Sequence, residues 1–310
     1  MQVKWPDIDV VISTLNCAKN LERCISCIKK QDYNGQIKII IVDGGSSDDT
    51  VSVAKDYTTE VYTSNISHLS GLNGQSQYGI SKGISPFVWR IDSDNFLVED
   101  TVATDLIRPF LSCSDVALSI PLVSLDPDFH SSFNDWLMSL EDVMLRSMAD
   151  KWSPNDKCFY VEDVQYGIPN ATIVRRDVLE LVGGYDMDVQ VLERMRRMHR
   201  SKGAIVPSAH FYHNSVGSAI EYRKKLVNRV RFHAQMSESE RSNYFVDAIG
   251  TGSRKYSSPT RAMLTYPYTS LVQYLHSWRS YWLWGLVYPF LILSVVAFHP
   301  RFSYKLYMHS

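Results

Sequence analysis

The sequence predicts an α/β protein with an open, mostly parallel sheet flanked by helices, followed by a helical C-terminal tail. Short apolar, β-branched runs alternate with stretches of helical periodicity in the N-terminal part of the chain. Residues 37–42 form a nearly continuous apolar run, of the kind that parallel strands show when both faces of the sheet are covered. Alternation of strands and helices is typical of βαβ units. The uncharged run at residues 281–298 sets the tail apart from this pattern.

The predicted strands end in polar residues. Strand 9–14 runs into Thr14, strand 37–42 into Asp43, and strand 87–91 into Asp92. Because the carboxyl ends of parallel strands meet at one edge of a sheet, we expect a ligand site there. The other predicted elements, in chain order, are a helix with apolar Leu21, Cys24, Ile25 and Ile28, a helix after the polar turn 43–50, strand 60–63, helix 74–83, helix 101–111, strand 115–121, helix 129–149, strand 204–207 and the basic helix 218–237.

Asp92 and Asp94 follow an apolar run and are separated by a single residue. In an extended segment, alternate side chains project to the same side, so the two carboxylates would lie close together. Oxygen ligands of this kind favour a hard divalent ion such as Mg²⁺ or Mn²⁺, which commonly bridges carboxylates to substrate phosphates. The alternative is a solvated turn, in which Asp, Ser and Asn are common residues.

Three motifs in order carry a resemblance to a known family. They read Val-Val-Ile-Ser-Thr-Leu-Asn at 10–16, Ile-Val-Asp-Gly-Gly-Ser-Ser-Asp-Asp-Thr at 41–50, and Arg-Ile-Asp-Ser-Asp at 90–94. Together they resemble the family 2 glycosyltransferases, and the likeness extends over roughly residues 8–215. Residues 167–186 add a strand, a basic turn, a helix and a Gly-Gly-Tyr-Asp turn that members show in this order. The resemblance implies the nucleotide-diphospho-sugar transferase fold called GT-A.

The resemblance also implies which residues bind the donor. Asp43 would hydrogen-bond the base, Asp92 would lie by the ribose, and Cys17 stands where many members have Glu, which removes one polar contact. The metal ligands would be Asp94, Asp92 and His213, with Mn²⁺ or Mg²⁺ as the cofactor. The implied nucleotide-sugar site comprises Ser13, Thr14, Asn16, Asp43, Gly45, Gln75, Arg90 and Asp92.

The catalytic base is the expected part that the sequence shows least clearly. In the family, an acidic pair on an Arg-rich helix closed by Gly supplies the base; here helix 191–203 holds the single carboxylate Glu193. Glu193 is therefore the first candidate, with Asp188 and Asp163 behind it. Glu193 can equally be a surface partner of Arg197, four residues later on the same helix.

Charge divides the chain. Residues 1–189 hold 15 Lys and Arg against 28 Asp and Glu, residues 190–231 hold 10 against 2, and residues 232–310 hold 7 against 3. The run 281–298 is near the lower limit for a membrane span, with aromatic residues at its start and basic residues around it. We expect a catalytic domain at 1–215, with a donor half at about 1–120 and an acceptor half at about 121–215. The helical tail 216–310 would be membrane-associated, as a short span or an embedded hairpin, or else would pack against protein.

The function that follows is a metal-dependent, inverting transfer of a sugar from a UDP- or GDP-sugar to a polyprenyl-linked or nascent glycan acceptor. It would take place on the cytoplasmic side of the cell membrane, without nucleic acid as a partner. The five cysteines and the absence of a signal sequence at the start favour reduced, intracellular thiols. Processive polysaccharide synthesis is disfavoured, since one apolar segment cannot form a channel. The alternative is a catalytically weakened sugar-nucleotide-binding or scaffolding subunit of a membrane glycan-assembly complex.

Overall fold

The computed structural model describes residues 4–64, 71–148, 156–164, 168–185 and 188–235, and residues 267–298 apart from 269, 274 and 276. Contacts divide the chain into two compact units. The first comprises Met1–Ser124 and Leu145–His213, and the second comprises Leu125–Met144 and Asn214–Ser310. Residues 125–144, which we assigned from the sequence to the acceptor half, group with the C-terminal residues in this division.

The first unit is built on one mixed sheet in the order β3-β2-β1-β4-β8-β6-β9-β5, with β7 paired to β9. The long strands run parallel, and every antiparallel pair in the described sheet involves one of the three-residue strands β5, β7 and β8. The strands are β1 Ile8–Thr14, β2 Ile37–Asp43, β3 Val61–Thr63, β4 Phe87–Asp92, β5 Asn95–Leu97, β6 Leu118–Ser124, β7 Phe159–Val161, β8 Ile173–Arg175 and β9 Gly203–His213.

Helices cover this sheet, which explains why its central strands read as continuous apolar runs. Every residue of β1 is buried. The first helix buries Leu21, Cys24, Ile25 and Ile28, one stripe at helical spacing, as the sequence predicts. The helices of this unit are α1 Ala18–Lys29, α2 Thr50–Tyr57, α3 Gly71–Ile80, α4 Val102–Ser112, the end of α5 Ser132–Arg146, α6 Arg176–Leu181 and α7 Asp188–Arg197.

A buried ion pair joins the beginning of β1 to α6. It lies far from the carboxyl ends of the strands. Asp9 is fully buried, and one of its carboxylate oxygens lies 2.7 Å from Nη2 of Arg176. The backbone N–H and the hydroxyl of Ser85 each donate a hydrogen bond of 2.8 Å to the same carboxylate. Arg176 also donates to the carbonyl oxygens of Ser85 and Ile80. The pair is thus fully hydrogen-bonded, as a buried charge requires.

Three details differ from the sequence predictions. The helix predicted at 191–203 ends at Arg197, and His199 takes a φ of +56°, so the chain has left the helix before Gly203 begins β9. Strand β9 continues to His213 instead of ending at Pro207, because a bulge opposite Pro121 and Leu122 accommodates the proline. Strands β5 and β7, each three residues long, were not predicted from the sequence.

The second unit is helical and has its own aromatic core. It contains most of α5, helix α8 at Ala219–Gln235, a 3₁₀ turn at Ser280–Leu283 and helix α9 at Trp284–Phe298. The indole N–H of Trp136 donates to the hydroxyl of Ser270 at 2.9 Å, so this large core side chain is also satisfied as a donor. The buried residues of the core are Phe133, Trp136, Leu140, Val216 and Trp282.

A short membrane span is one of the forms that the sequence leaves open for the tail. Within the part of the chain that the structure describes, no helix combines the length and the apolar character needed to cross a membrane.

Candidate active site

The ends of four strands of the first unit meet at one edge of its sheet. Thr14 and Asp43 are direct neighbours across β1 and β2, and Ser13 and Asp92 are neighbours across β1 and β4. On the other side, β5 pairs Asn95 with His213, the last residue of β9. The sheet register therefore places Ser13, Thr14, Asp43, Asp92 and His213 at strand ends along this edge.

Asp43 organises the loop that follows β2. One carboxylate oxygen accepts hydrogen bonds from the backbone N–H groups of Gly45 and Ser46, at 2.9 and 2.8 Å. The other accepts from the hydroxyls of Thr14, at 3.1 Å, and Ser46. Four donors match the roughly four lone-pair sites of a carboxylate, and Asp43 is 1% exposed. A base can therefore bind Asp43 only if Thr14 or Ser46 releases an oxygen, and that contact stays a prediction.

Asn16 ties the loop after β1 to the loop after β2. Its side-chain oxygen accepts a hydrogen bond from the backbone N–H of Ser47 at 2.8 Å, and its own N–H donates to the hydroxyl of Ser46 at 2.9 Å. Asn16 has a φ of +50° and Gly45 a φ of +93°, left-handed conformations that Asn and Gly tolerate best. Both residues thus shape the turn, which gives them a structural role beside the predicted donor contact.

Helix α3 closes the back of this pocket. The hydroxyls of Ser13 and Ser76 share a hydrogen bond of 2.9 Å. The amide of Gln75 lies directly over Gly44, where a side-chain carbon on residue 44 would come within 2.1 Å of Gln75 Nε2. Gln75 is 7% exposed, and its Oε1 has no hydrogen-bond partner in the described structure. A side chain at residue 44 would therefore displace the amide of Gln75.

Two cysteines near the pocket, Cys17, which is partly buried, and Cys24, which is buried, add no negative charge to it. Desolvation raises the pKa of the Cys17 thiol above its usual value of 9.0, and it raises that of Cys24, which lies against the Asp92 carbonyl, well above the same value. Both thiols are thus protonated at neutral pH.

Arg90 holds Asp92 in place. Its Nη2 lies 3.4 Å from Oδ2 of Asp92 and 3.4 Å from Oδ1 of Asn170, and its guanidinium stands 5.6 Å from the ring centre of buried Tyr185. The backbone N–H of Asp92 donates to Oδ1 of Asn95 at 3.1 Å. Asn170 and Tyr185 lie in the stretch 167–186 that carries part of the resemblance, but the sequence assigned no role at the site to them or to Asn95.

Asp94 approaches His213, but not in the way that strand alternation suggested. Strand β4 ends at Asp92, and Ser93 and Asp94 form a turn, so the premise of one extended segment carrying both carboxylates is wrong. Instead Oδ1 of Asp94 lies 3.7 Å from Nε2 of His213. Asp94 lies in the turn after β4 and His213 ends β9, so these two residues are distant in the sequence and the fold brings them together.

Asp94 and His213 could hold a divalent ion together with substrate. Neighbouring ligands of an octahedral ion with bonds of about 2.1 Å lie about 3 Å apart, so the observed 3.7 Å would have to shorten by about 0.7 Å for both side chains to bind one ion. No cluster of three or more His, Cys, Asp or Glu side chains suited to a metal occurs among the described residues. The remaining ligands would be diphosphate oxygens and water, an arrangement common for Mg²⁺ and Mn²⁺.

Two of the three candidates for the base, Glu193 and Asp163, contact Arg and Ser side chains of α7 and the loop that follows it. Glu193 pairs with Nε of Arg197 at 3.1 Å and with Arg196 at 3.7 Å on the surface of α7. Asp163 accepts from Nε of Arg196 at 3.0 and 3.1 Å and from the hydroxyl of Ser201 at 2.7 Å. Asp188 begins α7, and its side chain lies outside the described part. The assignment of the base stays a prediction.

A solved structure has a fold similar to that of this protein. The mannosyltransferase PcManGT from Pyrobaculum calidifontis, solved in complex with GDP-Man and Mn²⁺, matches with a TM-score of 0.53 at 15% identity, covering 93% of this chain and 88% of that one. At this identity the match establishes the fold class, a GT-A-like α/β fold.

The family follows from the sequence match. The model of the family described as glycosyl transferase family 2 matches residues 9–183, more than half of the chain, and the protein belongs to this family. Residues 9–183 therefore form a glycosyl transferase family 2 domain.

Two curated relatives are similar over part of their length. The GalNAc(5)-diNAcBac-PP-undecaprenol beta-1,3-glucosyltransferase of Campylobacter jejuni is 33% identical over 103 residues, 32% of this chain and 33% of the relative. Glycosyltransferase GlyG of Streptococcus pneumoniae serotype 4 is 30% identical over 162 residues, 49% of this chain and 53% of the relative. The chain thus matches about a third and about half of the lengths of these relatives.

Proposed function

We propose that this protein transfers a sugar from a UDP- or GDP-sugar, with inversion and with a divalent metal ion, to a polyprenyl-linked or nascent glycan acceptor. The observation that carries the proposal is the 3.7 Å approach of Asp94 and His213 at the sheet edge that Thr14, Asp43 and Asp92 share. The solved relative that binds GDP-Man and Mn²⁺ supports the same class of donor and metal.

The donor would lie across the ends of β1, β2 and β4. Thr14, Asn16 and Gly45 shape the nucleotide pocket, Gln75 and Ser13 form its back, and Arg90 orients Asp92 toward the ribose. A divalent ion bound by Asp94 and His213 would neutralise the charge that develops on the leaving diphosphate, which is worth several kcal/mol. Asp92, predicted as a further ligand, is engaged by Arg90 at 3.4 Å and is proposed chiefly for the ribose.

Inversion needs a base on the face of the sugar opposite the diphosphate. A carboxylate must come within about 3 Å of the acceptor hydroxyl to remove its proton. Glu193 is our first candidate because α7 buries Val191 and Leu192 and leaves Glu193 about two-fifths exposed. In this role Glu193 would leave Arg197, a surface partner that binds it weakly.

The acceptor and the membrane are inferred from the relatives and from the second unit. The Campylobacter jejuni relative carries PP-undecaprenol in its name, which supports a lipid-linked acceptor for this chain. Helix α9 contains no charged residue, and Leu286, Val287 and Phe290 are exposed on it. The preceding helix α8 carries Arg223, Lys224 and Lys225. We therefore place the protein on the cytoplasmic face of the cell membrane, against anionic headgroups, each basic residue contributing about 1 kcal/mol.

The donor and the metal are tested together by turnover. Purified protein is incubated with a panel of UDP- and GDP-sugars, with and without Mn²⁺, and hydrolysis or transfer to a polyprenyl-diphosphate-linked glycan is followed. We expect one donor to be consumed only with the metal, and at least 100-fold more slowly by Asp94→Asn. Asp115→Asn, a change at an exposed carboxylate paired with Lys202, serves as the control and should be unaffected. Nucleotide binding without turnover of any donor would instead indicate the weakened, scaffolding subunit.

The base and the membrane each have a direct test. We expect transfer to be lost in Glu193→Gln and retained in Asp163→Asn; the reverse pattern would move the base to Asp163. For the membrane, the protein should sediment with vesicles that contain phosphatidylglycerol and less with vesicles of phosphatidylcholine alone. Phe290→Ser should weaken the association. Equal recovery in the supernatant with both vesicles would contradict the membrane assignment.

A further inference from the structure

We infer that Asn170 is a positioning residue that decides which ring nitrogen of His213 carries the proton. Asn170 lies between Arg90 and His213. Its Oδ1 is 3.4 Å from Nη2 of Arg90, and its Nδ2 is 3.3 Å from Nδ1 of His213. Three side chains from β4, β9 and the segment before β8 thus form one hydrogen-bonded chain that leads to the candidate metal site.

The direction of each hydrogen bond follows from Arg90. A guanidinium has donors only, so the atom of Asn170 that faces it must be the carbonyl oxygen. The amide nitrogen of Asn170 then faces His213, and an amide NH₂ also has donors only. Nδ1 of His213 must therefore accept a hydrogen bond and cannot carry a proton.

A neutral imidazole has one proton, which this arrangement places on Nε2. Nε2 is the ring atom that lies 3.7 Å from Oδ1 of Asp94. In the metal-free protein, His213 thus directs an N–H toward Asp94. Along this chain Arg90 donates to Asn170, Asn170 donates to His213, and Nε2–H of His213 faces the carboxylate of Asp94.

This tautomer opposes metal binding through Nε2, and the inference rests on the metal site of the proposed function. A nitrogen ligand needs a free lone pair, and a metal-binding His usually donates its other ring N–H to a carboxylate or a carbonyl. Asn170 presents a donor at that position instead. To offer the lone pair of Nε2, the amide of Asn170 must turn over, which sets its NH₂ group against Arg90. The contact between Arg90 and Asn170 therefore weakens metal binding through Nε2 of His213 in the free protein.

The proton can be located without metal or activity. In protein with ¹⁵N-labelled histidine, long-range ¹H–¹⁵N correlation spectra distinguish the two neutral tautomers, and His213→Gln identifies the signals of His213 among those of the nine histidines. We expect the Nε2–H form in the wild-type, metal-free protein. The Nδ1–H form would overturn the inference.

The consequence for the metal is measured by titration with Mn²⁺ in the absence of nucleotide. In Asn170→Asp, a carboxylate can accept from both Arg90 and Nδ1–H of His213, so Nε2 is free to bind. We expect about 10-fold tighter Mn²⁺ binding, at the lower end of the range for residues behind a ligand. The gain should vanish in the His213→Gln background; an equal gain there would mean that added charge alone is responsible. If no form bound Mn²⁺, the metal in the proposed function would fail while the tautomer could still be as inferred.

Discussion

Replacing Asp43 by Asn tests whether this carboxylate organises the loop that follows β2. The two hydroxyls bonded to Asp43, from Thr14 and Ser46, can rotate and accept from an amide NH₂. The two backbone N–H groups, of Gly45 and Ser46, cannot. The Asn should therefore turn its oxygen toward the backbone, and the shape of the loop is kept.

The loss is then the charged character of two backbone hydrogen bonds. A hydrogen bond to a charged group is worth about 1.5–3 kcal/mol and a neutral one about 1 kcal/mol, so the loss is about 1 kcal/mol for each bond, or about 2 kcal/mol together. For a unit of this size, that corresponds to a fall of about 4–8 °C in the midpoint of thermal unfolding.

The matched control is Asp49→Asn, the same change six residues later. Asp49 is exposed, and its side chain makes no capping hydrogen bond to α2. The free energy of unfolding should therefore change by no more than about 0.5 kcal/mol in Asp49→Asn. Both midpoints are measured by circular dichroism, together with the affinity for UDP and GDP. If Asp43→Asn behaves like Asp49→Asn in stability, the four hydrogen bonds do not hold the loop as we have argued.

Two further predictions concern the first unit. Arg176→Met leaves the Asp9 carboxylate buried without its partner and should lower the free energy of unfolding in urea by about 3–5 kcal/mol. The control is Arg175→Met, which removes an ion pair whose side chains are 31% and 63% exposed and should lower it by about 1 kcal/mol or less. Similar losses in the two variants would contradict the distinction between a buried and an exposed pair. Burial raises the pKa of Cys27 from 9.0 to about 11, so the folded state holds its proton more tightly than the unfolded state. The stability from this thiol should be complete below about pH 9 and decline as the pH rises toward about 11. Alkylation of Cys27 at about pH 9, followed by mass spectrometry, should be much slower in the folded protein than in urea, and equal rates would refute the assignment.

The sequence was sufficient for the elements whose periodicity is long enough to be seen. Strands β1, β2 and β4 and helix α1 are buried along their predicted faces. A sheet covered by helices needs strands with apolar runs and helices with an apolar stripe, and both patterns are visible in the sequence. Strands β5 and β7 were missed because β5 directly follows the polar turn at Ser93 and Asp94 and β7 lies in a polar, aromatic stretch without clear periodicity. Helix α7 was predicted too long, since nothing in the sequence indicated that the chain leaves the helix after Arg197.

The candidate site shows a similar division. Thr14 and Asp43 could be placed together because parallel strands bring their ends to one edge. The position of His213 beside Asp94 was expected only from the family resemblance, since it depends on the bulge that extends β9 past Pro207. Asn170 could not have been found at all, because its role comes from contacts with residues 80 positions before it and 43 positions after it.

The most direct test of the metal site is a crystal structure with Mn²⁺ and UDP or GDP, in which the anomalous scattering of Mn²⁺ locates the ion. We predict one strong peak within coordination distance of Asp94 and His213, with the diphosphate on the same ion and the nucleoside over the ends of β1 and β2. A peak elsewhere, or a nucleotide bound away from Asp43 and Asp92, would contradict the assignment of this sheet edge as the donor site.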